Sequence, residues 1–180
     1  MRPVSRAYYK LKYALEEFGI SLKGKICADF GSNIGGFVQA ILEEDPKRVY
    51  SVETSKRLLH FELKDDSRVV FMGGTNAIGV KLPEKCDFIS IDVGWTPQKI
   101  ILENAIKNLK SDGIIISLIK PFYELNKTSP NEKEIKEVLN SVSDFAKKRF
   151  NEIKIIESPI KGQRKGNKEY LMFLRGLKQN

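Results

Sequence analysis

Residues 26–37 read Ile26-Cys27-Ala28-Asp29-Phe30-Gly31-Ser32-Asn33-Ile34-Gly35-Gly36-Phe37. An apolar run closes on an acid, a glycine-rich turn follows, and an amphipathic segment begins. A strand feeding a sharp turn and then a helix belongs to a parallel sheet, and open α/β sheets bind ligands at the carboxyl edge of such strands. Glycine suits the turn because a residue without Cβ can bend sharply and let a ligand approach the backbone. Asp29, at the strand end, can accept a hydrogen bond from a ligand amine or hydroxyl. The stretch is not a dinucleotide fingerprint: G-x-G-x-x-G counted from Gly31 requires glycine where Asn33 stands. A second acid, Glu53, ends the next apolar run, Val49-Tyr50-Ser51-Val52. Its spacing suits a carboxylate that grips both hydroxyls of an adenosine ribose. Together these features describe a site for a nucleoside cofactor with no pyrophosphate to cradle, which S-adenosylmethionine fits. The loop taken alone also fits an ordinary tight strand-to-helix turn.

The remaining bulk features narrow the class. At 180 residues, 41% hydrophobic and 30% charged, the chain reads as one soluble domain over 1–180 with a sizeable core. No apolar run spans a bilayer and no signal core follows the N-terminus, so the expected location is cytoplasmic, with no membrane partner. Cys27 and Cys86 sit in apolar runs and read as buried thiols. His60 is the only histidine, which argues against a metal site or a Ser-His-Asp triad. The net charge of +8 favours a polyanionic partner, and nucleic acid is the usual one. Basic residues without acids gather at 1–12 (Arg2, Arg6, Lys10, Lys12) and at 158–168 (Lys161, Arg164, Lys165, Lys168).

Along the chain, Ser5 is positioned to cap a helix ending near Phe18 and Gly19, with Tyr8, Leu11, Leu15 and Phe18 on one face. Strands are expected at 25–30, 48–53, 68–72, 87–92, 114–119, 153–156 and 169–174. Helices are expected at 35–43, 56–63, from Pro97, and from Pro130, with a turn at Asp112-Gly113 and a polar loop over 121–130. The last two strands form a long hairpin. The pattern predicts a doubly wound α/β fold: a seven-stranded, mostly parallel sheet with an antiparallel last strand and helices on both faces.

Four ionisable residues fall at element ends or on the first helix: Lys10, Asp92, Lys120 and Glu169. Strands 25–30, 87–92 and 114–119 should be neighbours, which opens Asp92 and Lys120 onto the Gly31–Gly36 loop. A lysine at the end of a buried strand needs an acidic partner, or its pKa falls through desolvation and a like charge. Tuned towards neutral, Lys120 can act as a general base. Paired with Asp92, it only closes the sheet. Lys10 also fits a solvated helix lysine.

At this point the chain resembles a known family. Ser5-Arg6-Ala7-Tyr8-Tyr9-Lys10-Leu11 resembles the opening segment of FtsJ-like ribose 2′-O-methyltransferases. Ala14 to Ile20, Gly35-Gly36-Phe37, Thr75-Asn76-Ala77, Leu118 to Pro121 and Ser158 to Gly162 resemble segments of the hemolysin-type (TlyA-like) branch, in order. The resemblance implies a Rossmann-like, S-adenosylmethionine-dependent methyltransferase fold and transfer to a ribose 2′-hydroxyl of structured RNA, most plausibly ribosomal. It implies a Lys-Asp-Lys-Glu tetrad at Lys10, Asp92, Lys120 and Glu169. It implies cofactor contacts from Asp29, Gly31, Ser32, Gly35, Gly36, Phe37, Glu53, Asn76 and Asp92. Arg2, Arg6, Lys161, Arg164 and Lys165 are the expected phosphate contacts. The chain departs from the family at Ser32-Asn33-Ile34 and at Val93-Gly94-Trp95. Trp95 can stack on a base or serve as a core or rim aromatic. The chain opens at the tetrad helix, without the small RNA-binding domain usual in that branch, which leaves RNA capture to its own surface, a ribosomal subunit or a protein partner. A methyltransferase with a non-RNA substrate and a non-catalytic RNA-binding or ribosome-assembly module remain open.

Overall fold

A computed structural model describes residues 2–162 and 166–178. The strands are β1 (Ile26–Phe30), β2 (Arg48–Glu53), β3 (Val69–Gly73), β4 (Cys86–Ile91), β5 (Leu109–Ile119), β6 (Phe150–Glu157) and β7 (Tyr170–Leu177). The helices are α1 (Ala7–Glu17), α2 (Gly36–Leu42), α3 (Phe61–Lys64), α4 (Gln98–Asn108), α5 (Pro121–Glu124) and α6 (Glu132–Lys147). The strands form one seven-stranded sheet in the order β3-β2-β1-β4-β5-β7-β6. Pairing is parallel from β3 through β5, and β7 runs antiparallel to both β5 and β6. The strand order reverses between β1 and β4, which opens a crevice at their carboxyl ends.

The pleat sorts side chains to two faces with a period of two. Ala28, Phe30, Ile89, Ile91, Ile115 and Ile119 join one core layer with Ile101, Leu102 and Val142. Cys27, Phe88, Ile116 and Leu118 join the opposite layer with Leu11, Leu15, Phe37 and Ile41. Because helices cover both faces, the central strands are apolar throughout rather than alternating. On the second face, α1 is fastened to α2 by its apolar stripe, by Tyr8 Oη donating to Glu43 Oε2 at 2.6 Å, and by Lys12 Nζ donating to Glu44 Oε1 at 2.7 Å. The Glu43 hydrogen bond pushes the Tyr8 phenol up to about 12.

The structure alters several local expectations. Arg6, not Ser5, stands at the N-cap of α1, and no side chain caps the helix there. Gly19 does end α1, at φ +60°. The helix expected at 56–63 is the short α3, preceded by the partly exposed His60 stacked on Phe61. The expected turn at Asp112-Gly113 lies inside β5. The ladder there steps from Cys86↔Leu109 to Phe88↔Ile114, so the intervening residues bulge instead of turning the chain. The polar stretch after Lys120 contains α5, with Pro121 at its start. Asn131, not Pro130, starts α6, through a capping box with Glu134. Cys27 and Cys86 are buried free thiols, and burial raises both pKa values, Cys86 to about 12.

Candidate active site

The strand directions bring the site together. β1, β4 and β5 end at the same edge and deliver Asp29 and Gly31, Asp92, and Lys120 in turn. Because β7 is antiparallel, its first residue, Tyr170, pairs with the last residue of β5, Ile119. Glu169 therefore arrives at the edge where Lys120 leaves. α1 lies across this edge and supplies Lys10. All four expected tetrad residues line one cavity of about 430 Å³, together with Asp29, Gly31, Ser32, Gly36 and Phe37.

Two ion pairs dominate its electrostatics. Lys10 Nζ lies 2.5 Å from Glu169 Oε2, and these residues are only 8% and 3% exposed. The solvated-lysine alternative for Lys10 is thus overturned: its position is buried and its charge is matched. Glu169 is itself backed by Gly162, where a Cβ would approach Glu169 Oε1 to 2.8 Å. Lys120 Nζ lies 2.5 Å from Asp92 Oδ1, at an angle that leaves this oxygen without an aligned hydrogen bond. Burial pulls the Lys120 pKa down, but the charges of Asp92 and Glu169 outweigh it, so the net shift is upward. Of the two readings the sequence left open for Lys120, the resting site shows the pairing with Asp92, with the lysine held charged.

The glycine loop is shaped by close approach. Gly31 has φ +87°, and a Cβ there would come within 2.6 Å of the Asp92 carbonyl oxygen. A Cβ on Gly36 would overlap Ser5 Oγ and approach Tyr8 N to 2.9 Å. This loop is therefore pressed against both the β4 exit and the start of α1. Asp29 is fully buried; Oδ1 accepts from Ser90 Oγ at 2.7 Å while Oδ2 has no partner among the described residues. Burial, reinforced by the charges of Asp92 and Glu53 and opposed by the Ser90 and Ser32 hydroxyls, pushes the Asp29 carboxyl up to about 7.

A second cavity of about 250 Å³ adjoins the first and shares Gly31, Asn33, Asp92 and Gly94 with it. Glu53 and Asn76 line it, with Val52, Leu58, Ile78 and Ile101 as apolar walls. Glu53 is held in place by Asn33 N, Thr54 Oγ1 and Ser55 N, at 2.8–2.9 Å. The loop bearing Asn76 is tied to α4 by Asn104 Nδ2, which donates to Ala77 O and Val80 O.

Of the expected phosphate contacts, Arg2, Arg6 and Lys161 are exposed, and Arg6 borders the first cavity. Arg164 and Lys165 lie outside the described residues. Trp95 is 61% exposed, so it is a rim residue, with its ring 4.4 Å from that of Tyr123. Sequence reasoning missed Phe122 and Tyr123 in the cavity wall, although an aromatic pair directly after Lys120-Pro121 was a legible signal. It also missed Gln39, whose Oε1 accepts from Val4 N at 2.9 Å and binds the N-terminal segment to α2. No helix of the described residues is long and apolar enough to cross a membrane, and the described residues contain no cluster of metal-ligating side chains.

Comparison with known proteins agrees with this arrangement. A candidate hemolysin from Lactococcus lactis, known from its crystal structure, superposes with a TM-score of 0.89 at 31% identity, covering 99% of this chain and 90% of that one. Hemolysin A of Brachyspira hyodysenteriae is 34% identical, over 93% of this chain and 75% of its own length. The 23S rRNA (cytidine-2′-O)-methyltransferase TlyA of Campylobacter jejuni is 35% identical, over 94% of this chain and 70% of its own length. The family model of FtsJ-like methyltransferases matches residues 3–176, almost everything between the N-terminal strap and the end of β7. The cavity at the glycine loop, with the Lys10–Glu169 pair buried and the Lys120–Asp92 pair half-buried beside it, thus sits on a chain that belongs to the FtsJ-like methyltransferase family.

Proposed function

We propose that this protein transfers a methyl group from S-adenosylmethionine to a ribose 2′-hydroxyl of structured RNA, with ribosomal RNA in the cytoplasm as its substrate. One observation carries the proposal: Lys10–Glu169 and Lys120–Asp92 converge on a cavity continuous with the glycine loop.

The residues fit the cofactor. The Oδ2 of Asp29, unpartnered among the described residues, offers an acceptor to an ammonium group, Gly31 and Gly36 line the same cavity as Asp29, and Glu53 in the adjoining cavity suits a ribose. Asn76 lines the same cavity as Glu53 and would suit an adenine edge there. When bound, the cofactor supplies a methyl group on a positively charged sulfur, an electrophile that needs no further activation.

The protein must then align a hydroxyl and remove its proton. Lys120 Nζ, once neutral, accepts that proton. Lys10 stabilises the negative charge that develops on the oxygen. Asp92 and Glu169 orient the two ammonium groups. In the resting site Asp92 keeps Lys120 charged, and its neutral form is favoured by any positive charge that enters beside it. Trp95 and Tyr123, at the rim, offer an aromatic surface for a nucleobase next to the reacting ribose. Arg2, Arg6 and Lys161 suit the phosphates on either side. A ribosomal subunit, or a protein partner, would supply the rest of the RNA specificity.

The test is transfer of labelled methyl to ribosomal RNA and intact subunits, with Lys120→Ala as control, followed by alkaline digestion. A 2′-O-methyl group blocks cleavage at its own phosphate. Label in alkali-resistant dinucleotides, lost with Lys120→Ala, is the expected result. Label in mononucleotides would mean base methylation. Cofactor binding without any transfer would favour a non-catalytic RNA-binding module.

A further inference from the structure

Gln98 touches neither cavity, yet it joins the two segments that carry Asp92 and Lys120. It is the first residue of α4, the helix reached through the loop that begins with Asp92. Its side chain is 98% buried, and both ends are used: Oε1 accepts from Ser117 Oγ at 2.5 Å, and Nε2 donates to Leu118 O at 3.0 Å. Both contacts fall on the last turns of pleat before Lys120. Its backbone N–H, one of the donors a helix start leaves unpaired, donates to Glu124 Oε1 of α5 at 2.8 Å. Three bonds from one residue thus hold the end of β5 and the end of α5 against the β4 exit loop, and Lys120 lies in the chain between the points they hold.

A buried amide with both ends satisfied is directional in a way that an apolar contact is not. A leucine at this position would fill similar space but lose both side-chain bonds that tie α4 to the last residues of β5. The 2.5 Å approach of Lys120 to Asp92 depends on the relative placement of two loops with no direct backbone pairing past Ile91↔Ser117. Gln98 supplies the missing connection just beyond that pair.

We propose that Gln98 is a positioning residue: with Ser117 and Glu124 it sets the distance between Lys120 and Asp92, and so the pH at which Lys120 becomes a base. The proposal rests on Lys120 being the base in the proposed reaction. Gln98→Leu removes both side-chain bonds, and Ser117→Ala is the milder second variant that removes one.

The experiment measures methyl transfer against pH, S-adenosylhomocysteine affinity and thermal melting for wild type and both variants. The expected result is a kcat lowered roughly tenfold or more in Gln98→Leu, in line with the sensitivity of catalysis to small misplacements, and less in Ser117→Ala. Affinity for S-adenosylhomocysteine stays within about twofold of wild type, because neither residue lines a cavity. The rising alkaline limb of the pH profile moves to lower pH in both variants, as the upward pull of Asp92 on Lys120 weakens while Glu169 before β7, Tyr123 of α5 and Lys10 of α1 still face it. A lowered melting temperature with an unmoved limb would make Gln98 merely structural and overturn the proposal. A wild-type profile with no rising limb would overturn it together with the base role of Lys120, whereas a wild-type limb that the variants leave in place overturns this proposal alone.

Discussion

Lys120 Nζ and Asp92 Oδ1 lie 2.5 Å apart at the ends of two neighbouring parallel strands, and the pair holds Lys120 in its charged form. Its pKa stands above that of an ordinary lysine, so the neutral, proton-accepting form grows only as pH rises. Methyl transfer should therefore increase with pH through the alkaline range. Asp92→Asn removes the partner, leaves burial as the main influence, and should move the rising limb to lower pH while reducing the maximal rate. A pH–rate profile of both proteins checks the direction.

Lys10 and Glu169 are buried together, so removing one partner strands the other. Lys10→Met should destabilise the fold by about 3–5 kcal/mol. The double variant Lys10→Met, Glu169→Leu should recover most of that loss while remaining inactive. Chemical denaturation of the single and double variants measures the coupling. Equal stability of the two would mean the pair is worth little.

Asp29 gives stability its own pH dependence. Its carboxyl is raised from 3.8 to about 7, so the folded state binds a proton that the unfolded chain releases. The stability it contributes is full below about pH 4 and is lost as pH rises towards about 7. Asn at this position cannot ionise, and Asp29→Asn should flatten the slope over that window. Denaturation midpoints measured across it show whether the slope belongs to Asp29.

Gly31→Ala meets two obstacles, a positive φ and the Asp92 carbonyl. The strained backbone alone should cost about 1–3 kcal/mol. Cofactor affinity should fall as well, because the loop must move away from the β4 exit. Melting temperature and S-adenosylhomocysteine titration separate the two effects. An unchanged affinity would remove this loop from the cofactor site.

Arg2, Arg6 and Lys161 are exposed, and Arg6 borders the first cavity. If each meets a phosphate, its replacement by Ala should lower the slope of log affinity against log salt by about one unit. Filter binding of ribosomal RNA at graded salt reads the slope. An unaltered slope would identify them as solvated surface charge.

Much of this architecture was legible because it depends on short-range order. The apolar runs at 26–30, 86–91 and 114–119, each ended by glycine, acid or lysine, mark strand and strand end through side-chain chemistry alone. Their order along the chain then limits the topology, since parallel neighbours need helical crossovers. Boundaries suffered where local signals compete. Asp112-Gly113 has turn chemistry, but pairing on both sides of β5 carries the chain through it as a bulge. Pro130 resembles a helix start, but Asn131 and Glu134 satisfy the helix N-terminus better.

The sequence by itself determined the strand-loop-helix core, the glycine loop at the end of β1, the basic flanks and which ionisable residues fall at strand ends and on the first helix. Tertiary structure decided which charges meet. Lys10 and Glu169 are 159 positions apart and are joined only because β7 inserts antiparallel beside β5 while α1 crosses the same edge. The sign of the Lys120 shift was likewise beyond sequence: burial and the neighbouring carboxylates pull it in opposite directions, and Coulomb energy depends on distances that only the folded chain defines. Gln98, polar and unremarkable at the start of a helix, takes its significance from the fold, where its amide ties α4 to the last residues of β5.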